Sequence, residues 1–547
     1  MAYSKSRAWR GQTRAMNGGV CRTGILGVAT AAGLMLTGAA LAQQTPPKAG
    51  GTVIIGMTEP VNVNPDLSTN YPNQLVGCMI YEGLVQVSRD ATIEPLLAES
   101  WNVSEDGKTY SFKLKKTNWQ DGKPFTSADV KFTIEKISSK FAPVFASAAS
   151  VISGIETPDE RTVIFKLKES FGPFLMSLAC PQGGAIMPAH LFHGSENDPA
   201  KNAASSTAPV GTGPFKLTEW KRGDFLRLQA NRDYHVKDRP YLREVIIRHI
   251  PQATSRLQAL RASEIDFVPG YFVPPSDYGV VSGTKGLKLE NSGFAPGAKM
   301  LFLNTTVEPL NRKEVRHALM RATDRAFLYK NVWFNTGGIG RMPFTSKIEW
   351  AADKEIDYAT QYPFDIEAAK TALDKANLPV GADGTRFKLT FVYNPEYGDV
   401  AQAAQAIKSM WSQVGVDVRL IAVEGSAYGE RIFTQKNYDM TMIGYTSYGD
   451  PALGVARIFV SGAIGQPFGN ASLYSNSGVD DLFQRGRSAS DLKQRGIFYK
   501  QVQKILADEL PVLTLQEYQH EDAARSALKD VWGGQGYGRW SNAWLDE

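Results

Sequence analysis

Apolar and polar positions alternate with a period of two in several short stretches of this chain. Tyr110, Phe112 and Leu114 are interleaved with Ser111, Lys113 and Lys115, and Val163, Phe165 and Leu167 with Ile164, Lys166 and Lys168. That spacing predicts half-buried strands. Asp106-Gly107 and Asp121-Gly122 mark reversals around the first of them, because Asp and Gly tolerate the positive φ of tight turns. Thr126 and Ser127 then offer caps for a helix beginning near Asp129. Upstream, 53–57 reads as a first strand, 61–73 as a polar loop and 75–81 as a helix. Downstream, 215–220 and 225–230 are strands joined through Gly223-Asp224, followed by a strand at 245–250 and a helix at 253–262. Beyond Asn291 the rhythm changes to helices at 312–333, 366–376 and 400–414, with strands at 389–393 and 417–423. Alternation of that kind predicts an α/β unit with a largely parallel sheet.

The first 42 residues stand apart. Lys5, Arg7, Arg10, Arg14 and Arg22 precede an apolar stretch at 24–41 that ends in Ala40-Leu41-Ala42. A basic segment, an apolar segment and an A-x-A triplet describe an export signal cleaved before Gln43, which predicts a periplasmic location. Cys21 lies before the apolar stretch, so it is not placed to carry a lipid. The signal also changes the charge of the chain. Five of the 60 Lys and Arg fall within it and no acidic residue does, so the remainder has as many basic residues as its 55 Asp and Glu. The pI of about 8.8 belongs to the precursor, and charge gives no reason to expect nucleic acid or an anionic membrane as partner.

After cleavage two cysteines remain, Cys78 and Cys180. An oxidising compartment permits one disulfide between them, and two buried thiols are the alternative; sequence does not decide. Catalytic and metal signals are thin. His190 and His193 stand close in HLFH, but no HExxH occurs, and the pair reads as imidazoles at a helix end. Gly211 and Gly213 in GTGPF are followed by no Lys and read as a backbone bend before a strand. Ser490 to Lys493 matches SxxK without the partner motifs such a nucleophile needs. No catalytic residue, metal ligand or cofactor is expected.

The order of words in the chain resembles a known family. YEGL at 81–84, PLLAESW at 95–101, SEDGKTYSFKLK at 104–115 and DGKPFTSADV at 121–130 are similar to the opening of the extracellular solute-binding proteins of family 5. GTGPFKLTEWKRGD at 211–224, VRHALMRATDRAFLYKNVWFNTG at 315–337 and FDIEAAKTALDKANLPVGADG at 364–384 continue the likeness over roughly 50–535. The resemblance implies a type II-like periplasmic binding protein fold of three lobes with mixed β-sheets and a ligand cleft between lobes. Lobe I is expected from 43–80, 185–290 and 511–547, lobe II from 81–184, and lobe III from 291–510. It also implies a monomer that captures a peptide-like or other small polar solute by hinge closure and delivers it to the permease subunits of an ABC importer. The rival class is a secreted hydrolase of α/β architecture.

By the same resemblance the cleft is lined by Thr69, Asn70 and Tyr71, by Phe145 in the 140–148 segment, and by Tyr445, Thr446, Ser447 and Tyr448 in MIGYTSYGDP. Tyr445 stands where peptide-binding relatives often have Trp. Those relatives place an Asp before the DP word to pair with a peptide's ammonium, a charge-assisted bond of about 1.5–3 kcal/mol; here Thr446 to Gly449 contains no carboxylate. Nickel-binding relatives use a nearby His, and 445–477 has none. The expected ligand is therefore recognised through hydroxyl, amide or carboxylate groups, unless Glu59, Asp66 or Asp450 reaches an ammonium from another loop.

Overall fold

Period-two stretches become strands because one face of each is withdrawn from water. In Thr52–Met57, Val53, Ile55 and Met57 are fully buried. The computed structural model describes residues 47–68, 70–291, 296–395, 397–518, 520–534 and 537–547; the expected signal peptide, its cleavage site and Thr69 lie outside them. Three main sheets organise the described residues into three lobes. In lobe I the strands run in the order Leu287–Asn291, Glu521–Arg525, Phe267–Val268, Thr52–Met57, Glu244–His249, Phe225–Ala230 and Phe215–Lys221. Thr52–Met57 is parallel to both its neighbours, and the other pairings are antiparallel.

Lobe II is an antiparallel sheet of Ala98–Val103, Thr109–Leu114, Thr162–Leu167 and Ile152–Asp159. Its core gathers Tyr110, Phe112, Leu114, Val163 and Phe165, the residues picked out by alternation. Helix Ser127–Phe132 packs beside it. Thr126 and Asp129 form a reciprocal capping box at its start, satisfying two of the backbone donors a helix end leaves open.

Lobe III orders Gly338–Ile339, Val512–Tyr518, Gly297–Leu303, Met440–Thr446, Phe387–Tyr393 and Val416–Ala422. Only the pairings of Phe387–Tyr393 are parallel, so the expectation of a largely parallel sheet is corrected to a mixed one: Gly297–Leu303 lies between two antiparallel partners. Helix Gly398–Ser412 buries Val400, Ala403, Ala404, Ile407, Met410 and Trp411 against one face. Full burial of an aliphatic or aromatic side chain contributes about 1.5–3 kcal/mol, which accounts for the position of this helix over the sheet. Met300, Phe302, Ile443 and Tyr445 pack on the opposite face.

Strand pairing locates the chain's last passage between sheets. Val512–Tyr518 pairs with Gly297–Leu303 in lobe III, and only Glu521–Arg525 enters the lobe I sheet. The last crossing therefore falls between Tyr518 and Glu521. The run from 512 to 525 is strand-forming almost throughout, and nothing in its pattern announces a change of sheet. One further contact ties lobes I and II together, and another joins two segments of lobe I. Cys78, in helix Tyr71–Ile80, is disulfide-bonded to Cys180 at the edge of lobe II, with Cα atoms 5.9 Å apart, which resolves the open cysteine question. Gly211 and Gly213 lie against the backbone of Ile80; a Cβ at Gly211 would stand 1.8 Å from its carbonyl oxygen, so the GTG word serves close approach between segments rather than an anion.

Candidate functional site

Tyrosines from several segments converge where lobes I and III meet. Tyr71 opens the helix Tyr71–Ile80, with Asn70 as its exposed N-cap residue. Its ring stacks on Tyr271 with centroids 5.6 Å apart and lies 5.0 Å from Tyr537. Tyr271 sits on the short turn Gly270–Phe272 and is 49% exposed. That turn is held from behind by Asp522, which accepts hydrogen bonds from the Gly270 N–H at 2.6 Å and from Trp532 Nε1 at 2.9 Å. Burial pushes the Asp522 carboxyl up to about 7. Across the lobe boundary the Tyr397 phenol lies close enough to Tyr271 to raise its pKa, and His520 bridges the ring of Tyr271 at 5.5 Å to that of Tyr518 at 5.2 Å.

The lobe III side carries the charge. Lys299 Nζ lies 2.9 Å from Asp399 Oδ2, above the rings of Tyr518 at 5.5 Å and Tyr397 at 5.9 Å. Asp399 also accepts a hydrogen bond from Trp333 Nε1 at 3.3 Å. Burial, and after it the Lys299 charge, lowers the His520 imidazole to about 4, so it is neutral at physiological pH. Burial raises the phenols of Tyr71, Tyr271, Tyr518 and Tyr537. Among the described residues the cluster thus presents rings and hydroxyls around the Lys299–Asp399 ion pair, an arrangement suited to stacking and hydrogen bonding.

The residues expected from sequence divide. Tyr71 belongs to the cluster. Thr446 lies close enough to the Tyr518 phenol to lower its pKa. Tyr448, in a left-handed conformation with φ 52°, packs against the lobe II core and lies close enough to Tyr518 and Tyr537 to raise their pKa values. A bulky residue at positive φ is strained, and this one stands where three lobes meet. The others are held elsewhere. Phe145 is fully buried in the lobe II core, on the turn Pro143–Phe145, which packs against Gly183. Tyr445 points to the far face of the sheet: it is 4% exposed, packs on Phe302 and donates its hydroxyl to the Gly469 carbonyl at 3.0 Å. Strand alternation is the reason, since Tyr445 and Thr446 must face opposite sides. Ser447 is buried and donates to the Pro296 carbonyl at 2.9 Å.

The three carboxylates held in reserve are also committed. Asp450 caps the turn Pro451–Val455 through the Ala452 N–H and pairs with Arg495 at 2.7 Å, both side chains buried. Glu59 accepts from Trp220 Nε1 and the Gly223 N–H. Asp66 accepts from Ser138 Oγ at 2.5 Å in the lobe I–lobe II contact. His190 and His193 meet Asp121 and Glu196 near the surface, and among the described residues no group of three His, Cys, Asp or Glu is placed to hold a metal.

Sequence reading missed Tyr271, Lys299, Tyr397, Asp399, Tyr518, His520 and Tyr537. Lys299 had a signal: it is the one charged residue in GAKMLFL, an otherwise apolar strand.

The model of the bacterial extracellular solute-binding proteins, family 5, matches residues 92–466. The chain belongs to that family. The family consists of binding proteins, not enzymes, so the hydrolase alternative falls. Among its relatives, the probable D,D-dipeptide-binding periplasmic protein DdpA of Escherichia coli is 30% identical over 478 residues, covering 85% of this chain and 87% of its own. The oligopeptide-binding protein AppA of Bacillus subtilis is 28% identical over 477 residues, covering 85% and 86%. Its structure with a nonapeptide matches at a TM-score of 0.77 and 27% identity, covering 92% of this chain and all of that one. AgaA of A. tumefaciens R10, solved with agropinic acid, matches at a TM-score of 0.76 and 25% identity, covering 91% and 99%. This family 5 protein has the three-lobed type II binding-protein fold, and among its described residues no helix is long and apolar enough to cross a membrane.

Proposed function

We propose that this family 5 protein captures a small polar or peptide-like solute in the cleft between lobes I and III and passes it to the permease subunits of an ABC importer. The observation that supports this reading is the tyrosine cluster around Lys299 and Asp399, contributed from both sides of a lobe boundary. Closing such a cleft excludes water and strengthens the polar contacts inside. The cluster favours a solute recognised through hydroxyl, amide or carboxylate groups, because Asp450, Glu59 and Asp66 are all engaged away from it. A sugar-like, opine-like or N-modified peptide compound fits that description, and the protein acts as a monomer with no nucleic-acid partner.

One observation favours a second reading. Asp399 lies in the cleft, and a free ammonium that displaced Lys299 from it would allow an unmodified peptide to bind. A thermal-shift screen of unmodified and N-acetylated peptides, sugar acids and opines separates the two. The first reading expects N-blocked or amine-free acids to bind best and Tyr271→Ala to weaken them. Tight binding of unmodified di- or tripeptides, lost in Asp399→Asn, would establish the second.

A further inference from the structure

The Lys299–Asp399 pair is an expensive thing to build at the end of a sheet. Its side chains are 16% and 24% exposed, and partial withdrawal of two charges from water costs more than their attraction returns unless further hydrogen bonds complete them. An ammonium has three N–H donors. Among the described residues Asp399 takes one, and the faces of Tyr397 and Tyr518 attract the charge without supplying a lone pair in the donor direction. The space beside the ammonium stem is also kept open. Lys299 pairs across the strands with Gly444, which is exposed, and a Cβ there would stand 3.4 Å from Lys299 Cδ and 3.2 Å from Tyr518 Oη. Any side chain at 444 would fill the room next to the lysine.

We infer that Lys299 anchors a carboxylate of the solute, with Asp399 as the residue that positions it. The inference rests on the cleft reading above and adds the class of ligand: an organic acid whose remaining body carries hydroxyl or amide groups. Asp399, braced by Trp333 Nε1, holds the ammonium over the two rings and balances its charge before the solute arrives. One carboxylate oxygen then takes a second Lys299 N–H, and the other faces tyrosine hydroxyls that remain protonated and able to donate. Neutral His520 adds no competing charge.

The test uses matched probes that differ only in the acid: N-acetyl-trialanine against its C-terminal amide, trialanine against its amide, and gluconate against sorbitol. Affinities are measured by calorimetry on mature wild-type protein and on the Lys299→Met, Lys299→Arg and Tyr271→Ala variants, each checked for unchanged circular dichroism. The expected result is that the acid of each binding pair is preferred by roughly 10- to 100-fold, the range of a charge-assisted hydrogen bond. Lys299→Met should erase that preference, Lys299→Arg should keep most of it, and Tyr271→Ala should weaken acid and neutral probes alike. A binding pair in which the neutral member equals the acid, or an acid preference that survives Lys299→Met, overturns the inference while leaving the cleft reading intact. Binding unchanged in Tyr271→Ala, or no binding by any probe together with no solute released on denaturing the native protein, overturns the cleft reading and the inference with it.

Discussion

Removing the Cys78–Cys180 bridge should lower stability without emptying the cleft. The two residues are separated by 102 positions, and constraining a loop of that length removes unfolded-chain entropy corresponding to about 4.7 kcal/mol at 25 °C. The unit from Pro47 to Glu547 holds about 500 residues; at about 2.1 cal/mol/K per residue its unfolding entropy near the transition is about 1 kcal/mol/K. If the unit unfolds cooperatively, Cys78→Ser together with Cys180→Ser should therefore lower Tm by about 4–5 °C. Reduction of the wild type should give the same shift. The bridge is anchored in helix Tyr71–Ile80, whose first residue belongs to the tyrosine cluster, yet Tyr71 is also held there by its own contacts with Tyr271 and Tyr537. Ligand affinity at 25 °C should then change by less than about threefold, since the native contacts persist. Differential scanning calorimetry with and without reductant, and titration of one bound acid, check both parts. A Tm that moves by less than about 1 °C would refute the loop-entropy argument, and an affinity loss of tenfold or more would show that the bridge, not the ring contacts, orders Tyr71.

Three further outcomes are expected. Asp450→Asn should cost about 3–5 kcal/mol in urea unfolding, because it leaves Arg495 buried without its anion, while the folded protein keeps its ligand affinity; an affinity loss with unchanged stability would return Asp450 to the cleft. Tyr445→Phe removes one buried hydrogen bond to Gly469 and should cost about 1 kcal/mol, with no change in binding. Burial raises the Asp66 carboxyl from 3.8 to about 8, so the native state holds a proton that the unfolded chain has released, and this group makes stability fall as pH rises from about 4 to about 8. Asp66→Asn should flatten that part of the profile, measured by chemical denaturation at pH 5 and 8.5; an unchanged slope would mean Asp66 is ionised in the folded protein.

Much of the scaffold was legible because its signals are local. The strands 109–114 and 162–167 follow from alternation, and of the two caps expected, Thr126 and Ser127, Thr126 is the N-cap of a helix that begins at Ser127 rather than near Asp129. The expected helix at 400–414 is Gly398–Ser412, closed by Gly415 at positive φ. Where local signals compete, the reading blurred. The helix expected at 312–333 is two, Lys313–Arg321 and Arg325–Asn331, because Asp324 takes the Phe327 N–H with its side chain and starts a new helix. The change of sheet between Tyr518 and Glu521 has no local signal, since both sides are strand and only the partner differs.

The site was less legible for a related reason. Family likeness led to the Met440–Thr446 strand and the loop after it, but which side chains face the cleft depends on register, and a shift of one residue exchanges the faces. Tyr445, the residue most conspicuous in the sequence, therefore turns into the lobe III core, while Thr446 and Gly444 turn toward Lys299. Tyr271, Tyr397, Tyr518 and Tyr537 each lie far apart in the chain and carry no motif; only the fold brings them together. The better signal was of another kind: a lysine in the middle of an apolar strand has no packing reason to be there. A charge that the hydrophobic pattern cannot account for needs a partner of opposite sign and a use for its remaining donors. Asp399 is the first, and the acidity of the solute is the part of the answer that binding measurements can supply.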